Sequence, residues 1–448
     1  MPKIKTATLA ILTFPFLLSL AIPGRADEPQ AMFRANPQHT GVYPGEGSTE
    51  FKAIKWKFKT ARRIFSSPAI YAGTVYVGSD DGNLYAVDAR DGTAKWQFHT
   101  NGAVNSSPAV TAQGVYFSSA DGSFYALDPP TGKLLWKFET AGERQFEAKG
   151  LHGLVPRHQT IPDPWDFYLS SPVVANGLVY FGSGDNNFYA LEASSGKLKW
   201  KFATRGVVHS SPAISEGTVY LGSWDSYFYA LDAQTGQEKW KFKTGEDPLN
   251  FNQVGIQSSP AIADGAVYFG CRDSQLYALD ARTGQRKWNF SNHGTWVISS
   301  PAVRDDVVYF GTSDPPFFRS LDTKTGAPGI VLPAGMFIFS SPAVAGQMAY
   351  FGSFNGKLHA VDLQTGKYKW EFQTESGKQD ALGLIGADGK PNFPAIFVSN
   401  FWEDMVLAVN KLYTLGSILS SPVVENGVIY FGSTDGYLYA LELQPTKP

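Results

Sequence analysis

The chain has 448 residues, 14% of them aromatic and only 17% charged, with 45 Gly, 28 Pro and a formal net charge of −2. That faintly acidic balance excludes a nucleic-acid partner, which needs a basic footprint, and the single cysteine, Cys271, excludes an intramolecular disulfide. Abundant Gly, Pro and aromatic residues favour many short strands joined by tight turns over helices.

Taken from the start, Lys3 and Lys5 precede an apolar run from about Ala7 to Ile22, followed by Pro23, Gly24, Arg25 and Ala26. This predicts a secretory signal peptide over residues 1–26, cut before Asp27. No cysteine stands near the cut, so no lipid anchor is expected, and neither is an integral membrane segment in the mature chain. A periplasmic or secreted location follows. Losing Lys3, Lys5 and Arg25 takes 38 basic residues to 35 against 40 acidic ones, a net of −5.

After a lead-in over residues 27–50 the chain repeats itself. Ser-Ser-Pro begins at Ser66, Ser106, Ser170, Ser210, Ser258, Ser299, Ser340 and Ser420, with spacings of 40, 64, 40, 48, 41, 41 and 80. The two large spacings predict insertions, at about 141–167 and 375–417. Within one unit Ser211-Pro212-Ala213-Ile214, Thr218 to Ser223, Tyr227 to Asp232 and Glu238 to Phe242 are four short β-branched or aromatic runs separated by turn residues. Four antiparallel strands per unit make one propeller blade, and a lone blade cannot bury both its faces. The expected fold is all-β: one eight-bladed β-propeller over residues 51–448.

A second register runs through six units: an acid, Gly four residues on, Trp four further on, as in Asp128, Gly132, Trp136 and Asp232, Gly236, Trp240. Here the sequence resembles the tryptophan-docking repeat of quinoprotein propellers. The resemblance implies that Trp56, Trp96, Trp136, Trp200, Trp240, Trp288 and Trp370 tie neighbouring blades together. The unit after Ser299 has Asp322 and Gly326 but no Trp, which predicts the weakest junction. The last unit ends at Leu443 without its Trp strand, while an orphan Lys55-Trp56-Lys57-Phe58 precedes the first unit. The N-terminal strand is therefore expected to complete the last blade and close the ring. A degenerate ninth blade, faintly echoed between Ala395 and Asn410, is set aside for an insertion.

The turn between second and third strands carries an acidic column, Asp81, Asp121, Asp185, Asp225, Asp273, Asp314 and Asp435 with Asn355, which reads as hairpin chemistry rather than a metal ring. One position earlier the residues vary, and Trp224, Arg272 and Phe354 are large where small ones would serve. Both insertions emerge on that same face. The candidate binding face is Trp224, Arg272, Phe354, Arg157, His158, Trp165, Trp402 and Glu403. His152 and His158 are spaced unlike any common metal motif, and Cys271 stands in a column of Ser and Thr as a small core substitute. Asn105, His209 and Gln257, just before Ser-Ser-Pro, are candidates for lining the axis.

Three functions are weighed. Over residues 51–443 the chain resembles BamB-type accessory propellers of the β-barrel assembly machine, and Phe33 to Gly41 resembles the lead-in of exported quinoprotein-like repeat proteins. That implies a monomeric, non-catalytic scaffold for another envelope protein or an extended peptide, with no cofactor. The alternative is a pyrroloquinoline-quinone dehydrogenase with calcium, whose quinone lies on the axis at one face. One cysteine cannot supply the vicinal pair typical of that family. A carbohydrate or cell-wall binder is the third reading.

Overall fold

The unit beginning at Ser210 shows how forty residues make a sheet. Strands Ala213–Ser215, Thr218–Gly222, Tyr227–Asp232 and Glu238–Lys243 pair antiparallel in sequence order. Glu216 and Gly217 both take positive φ, the backbone that a two-residue hairpin with right-handed strand twist requires. The first three strands are almost wholly buried, whereas the fourth alternates between exposed and half-buried. Neighbouring blades cover both faces of the inner strands, and only the rim strand meets water.

In this computed structural model, which describes residues 30–245 and 255–445, eight sheets of that kind are present. The predicted signal peptide lies outside the described residues. Strand Phe51–Lys59 pairs with Tyr437–Leu443, Trp56 opposite Ala440, so the N-terminal strand completes the eighth blade as expected.

The hub explains the Ser-Ser-Pro motif. The second serine of each motif accepts a hydrogen bond at Oγ from the backbone N–H of the second serine one blade back: Ser67 to Ser107, Ser107 to Ser171, Ser171 to Ser211, Ser211 to Ser259, Ser259 to Ser300, Ser300 to Ser341, Ser341 to Ser421 and Ser421 to Ser67, all 2.8–3.1 Å. The circle is complete after eight. In seven of the eight motifs the first serine holds its own blade, its Oγ accepting from a backbone N–H twelve residues on, as Ser210 does from Gly222 at 3.3 Å.

At the rim each indole lies on the next blade's Gly turn. A Cβ at Gly196 would sit 2.5 Å from Trp136, so only glycine fits, and Trp136 Nε1 donates to Ala193 O at 3.0 Å. Trp56, Trp96, Trp200, Trp240 and Trp288 repeat this at 2.8–3.1 Å. Trp370 meets the closing blade, which lacks that turn, and donates instead to Ser48 O of the lead-in at 3.4 Å. Where Trp is missing, Ile330 faces Gly366, and a Cβ there would still lie 3.4 Å away, against 2.5–2.9 Å at the six Trp–Gly contacts. Of the seven junctions that carry a Gly turn, this one leaves the most room at the glycine.

The structure adds two features to the expected plan. The second insertion is helical, with helices Glu375–Gln379, Phe393–Ile396 and Trp402–Tyr413, so the echo of strands near Ala395 is a helical cap and not a ninth blade. The lead-in crosses the far end of the axis. Its backbone bonds Val110, Ile214, Ile262, Val303 and Val344, all on innermost strands, and Val42–Tyr43 adds a parallel strand to the seventh blade.

Candidate functional site

The connections leaving the fourth strand of blades two and seven pass over one end of the axis, and the residues beneath them decide how they sit. The first insertion forms a hairpin, Glu147–Lys149 against Thr160–Pro162. From it the chain drops across the hub: Trp165 packs edge-on to Trp296, Phe337, Phe339 and Phe354. Phe167 stacks on Phe65. Aromatic surface from the insertion thus fills the axial mouth.

Buried charge fixes this descent. Asp163, fully buried, receives Arg272 Nη1 at 2.5 Å and sits 3.1 Å from His152 Nε2. Burial alone would raise its pKa; Arg272 and His152 outweigh it and hold the carboxyl well below the usual range. The Arg272 guanidinium lies between the rings of Trp224 and Trp296, 4.3 and 4.6 Å from their centroids, and Trp224 stacks on Phe146 of the insertion. Three residues on, Asp166 contacts His209 Nδ1 at 2.7 Å while Glu143 contacts Nε2 at 2.8 Å. Burial would strip the ring of its proton, yet the two carboxylates outweigh it and raise the pKa to about 10, so His209 is an imidazolium clamped from both sides.

The two insertions join to form one cap. Val155 N donates to Asn400 O, Trp402 N to Val155 O and Trp402 Nε1 to Pro162 O, at 2.8–3.0 Å. Between the cap and blades one to four lies a cleft of about 510 Å³. Its apolar wall is Trp402, Val406, Val409 and Tyr413; its polar wall carries Arg63, Asp80, Asn105, Glu143, Arg144 and His209. Arg63 bonds Asn410 Oδ1 at 2.8 Å and lies over the Tyr413 ring. Burial pushes the Asp80 carboxyl up, against the pull of Arg63. The buried Asn105 Oδ1 has no hydrogen-bond donor.

The expected binding face is therefore corrected in part. Trp224, Arg272, Phe354 and Trp165 are at most 5% exposed: they are sockets and plug for the cap, because large side chains beneath an insertion gain more by packing on it than by facing water. Trp402 is half-buried and joins the insertions. Arg157, His158 and Glu403 are exposed on the cap. His209, Asn105 and Gln257 do line the axis, and each is also hydrogen-bonded. Six of the seven acids in the column, Asp314 being the exception, make the same turn bonds: Asp225 Oδ1 accepts from Tyr227 N and Oδ2 from Tyr229 OH. Sequence reasoning missed Asp163, Glu143 and Arg63. The signal that could have found them was Arg272 itself, since a cation beside a hairpin under an insertion needs an acid, and few were on offer.

Five large apolar side chains of the second insertion stay in water: Leu382, Phe393, Val398, Phe401 and Leu407, 38–68% exposed. The other exposed large hydrophobics, such as Leu134 and Leu198, are scattered on rim strands.

A family model described as outer membrane protein assembly factor BamB matches residues 48–155, 158–295 and 291–445. No curated protein matches the sequence. Among solved structures, BamB from Moraxella catarrhalis superposes with a TM-score of 0.61 at 17% identity, covering 89% of this chain and 99% of that one. A europium-containing methanol dehydrogenase gives 0.68 at 17% identity, covering 93% and 99%. Quinohemoprotein alcohol dehydrogenase from Comamonas testosteroni gives 0.67 at 14%, covering 93% and 81%. At these identities the likeness is one of fold, and an assembly factor and two dehydrogenases share it.

Proposed function

The chain belongs to the family described as outer membrane protein assembly factor BamB, and from that premise we propose that it is an exported, non-catalytic binding propeller. Its capped face takes a segment of another envelope protein or an extended peptide. The observation that carries this reading is the cap itself: a cleft with one apolar and one polar wall, bordered by an insertion that leaves Val398, Phe401 and Leu407 in water. Half of the exposed large apolar side chains fall within this one insertion, and such a concentration is a mark of a contact surface. No helix among the described residues is long and apolar enough to cross a membrane, which is compatible with an envelope location.

The residues on the axis do not fit a quinone with its calcium. Trp165 and Phe167 occupy the mouth where a flat cofactor would stack. Glu143 and Asp166 are both turned onto His209, and among the described residues no three His, Cys, Asp or Glu side chains gather to hold a metal ion.

The test is site-specific photo-crosslinking in cells. A crosslinker at Val398 or Leu407 is expected to trap one envelope protein, while the same group at Glu216, on the opposite face, traps none. Equal trapping at all three positions removes the chosen face. Dye reduction by the purified chain given pyrroloquinoline quinone, calcium and an alcohol or aldose removes the non-catalytic reading.

A further inference from the structure

The hub encloses a small chamber ringed by hydroxyl groups. A cavity of about 40 Å³ lies on the axis and touches all eight second serines, from Ser67 to Ser421. Phe33 of the lead-in bounds it at one end; Phe65, Leu169, Ile298 and Phe339 bound it at the other. About 10–15 Å³ of such space suffices for one water-sized occupant, so the chamber has room for a small cluster.

Each serine oxygen already accepts a backbone N–H from the neighbouring blade. A hydroxyl carries one hydrogen to donate, and none of these eight hydroxyls donates to a protein acceptor among the described residues. The serines are only 3–5% exposed, and the surface they keep lines the chamber. Eight O–H dipoles therefore have their positive ends free around one volume, with no carboxylate lining it. The titratable groups that do line it are Tyr168, whose hydroxyl donates to Leu419 O, and His209, whose partners Asp166 and Glu143 are not part of the wall; Asn105 adds one buried acceptor, its Oδ1.

A second observation is independent of the ring. Arg34 is 1% exposed and donates from Nη1 to Pro342 O and from Nη2 to Pro301 O, while its Nε has no partner. No carboxylate among the described residues pairs with it. Pro301 and Pro342 directly follow Ser300 and Ser341, so the guanidinium sits under the chamber wall. Burial lowers its pKa only to about 10, so it is still charged at neutral pH. An unpaired buried charge costs several kcal/mol, and carbonyl dipoles alone do not neutralise it.

We propose that the axial chamber is an anion site that holds a small monovalent inorganic anion of the chloride class. The serine hydroxyls donate to it, directly or through waters sharing the chamber, and its charge balances Arg34. The ligand is narrowed by chemistry and size: a ring of eight hydroxyl donors, one buried cation nearby with no carboxylate partner among the described residues, and a volume too small for an organic acid of ordinary length.

Crystals of the whole chain grown in sodium bromide and measured at the bromine absorption edge test this directly. An anomalous peak on the axis inside the serine circle is expected; density there without anomalous signal is water and overturns the proposal. In solution, replacing chloride with gluconate at constant ionic strength should lower the unfolding midpoint, and the midpoint should climb with chloride concentration above its dissociation constant. Arg34→Met should abolish that dependence and Arg34→Lys should keep it. A wild-type midpoint indifferent to chloride counts against the site even if the variants fail to fold.

Discussion

In the hub, the bond between Ser107 and Ser171 does what seven others do; in the cap, the ion pair between Asp163 and Arg272 has no duplicate. The ring is held by uncharged, repeated, individually modest contacts. The cap is held by a few buried charges clamped between aromatic rings. Repetition tolerates loss, as Ile330 in place of a docking Trp and Cys271 in a column of Ser and Thr already show. A unique buried charge tolerates none, because removing one partner strands the other in low dielectric. The surface we propose for binding thus lies on the part of the molecule with least redundancy.

The contrast is broken most severely at the cap. Asp163→Asn leaves Arg272 unpaired and should cost about 3–5 kcal/mol in denaturant unfolding; a loss below about 1 kcal/mol means the pair does not hold the insertion. In the ring, Trp136→Ala should cost about 3 kcal/mol, and Ile330→Ala at the Trp-less junction clearly less. Equal losses would remove the distinction between junctions.

The pH dependence sharpens the same comparison. His209 has its folded pKa raised to about 10 from 6.5, so its contribution is complete below about pH 6.5 and disappears as pH rises toward 10. Each pH unit in that window should remove up to about 1.4 kcal/mol. His209→Phe should flatten the profile there, measured by unfolding at a series of pH values. Smaller still, Ser107→Ala removes one ring acceptor of eight and should cost about 1 kcal/mol. Leu407→Asp, on the exposed face of the cap, should change stability by less than about 0.5 kcal/mol while weakening partner capture in the crosslinking assay.

Much of the ring was legible because its signals are local. Ser-Ser-Pro, the turn residues and the acid, Gly, Trp register each act within a blade or between adjacent blades, and copy number follows by counting. The orphan Trp56 strand announced closure, and the missing Trp announced the loose junction. The face carrying the insertions was read correctly from strand order. What failed was exposure: Trp224, Arg272 and Phe354 looked like surface because hairpins are usually surface; the segment near Ala395 was rightly taken as an insertion, but its helices were not legible because short apolar runs suit either state.

By itself, the sequence determined a closed toroid of eight sheets, since a unit with two apolar faces can bury them only against copies of itself. That Asp163 meets Arg272, 109 residues away, that His209 sits between Glu143 and Asp166, and that the lead-in crosses the far end of the axis emerge first in three dimensions. Those contacts depend on where two non-repeating segments come to rest after the ring has closed. Pairing across a ring leaves no period in the chain, and buried charge finds its partner only through shape.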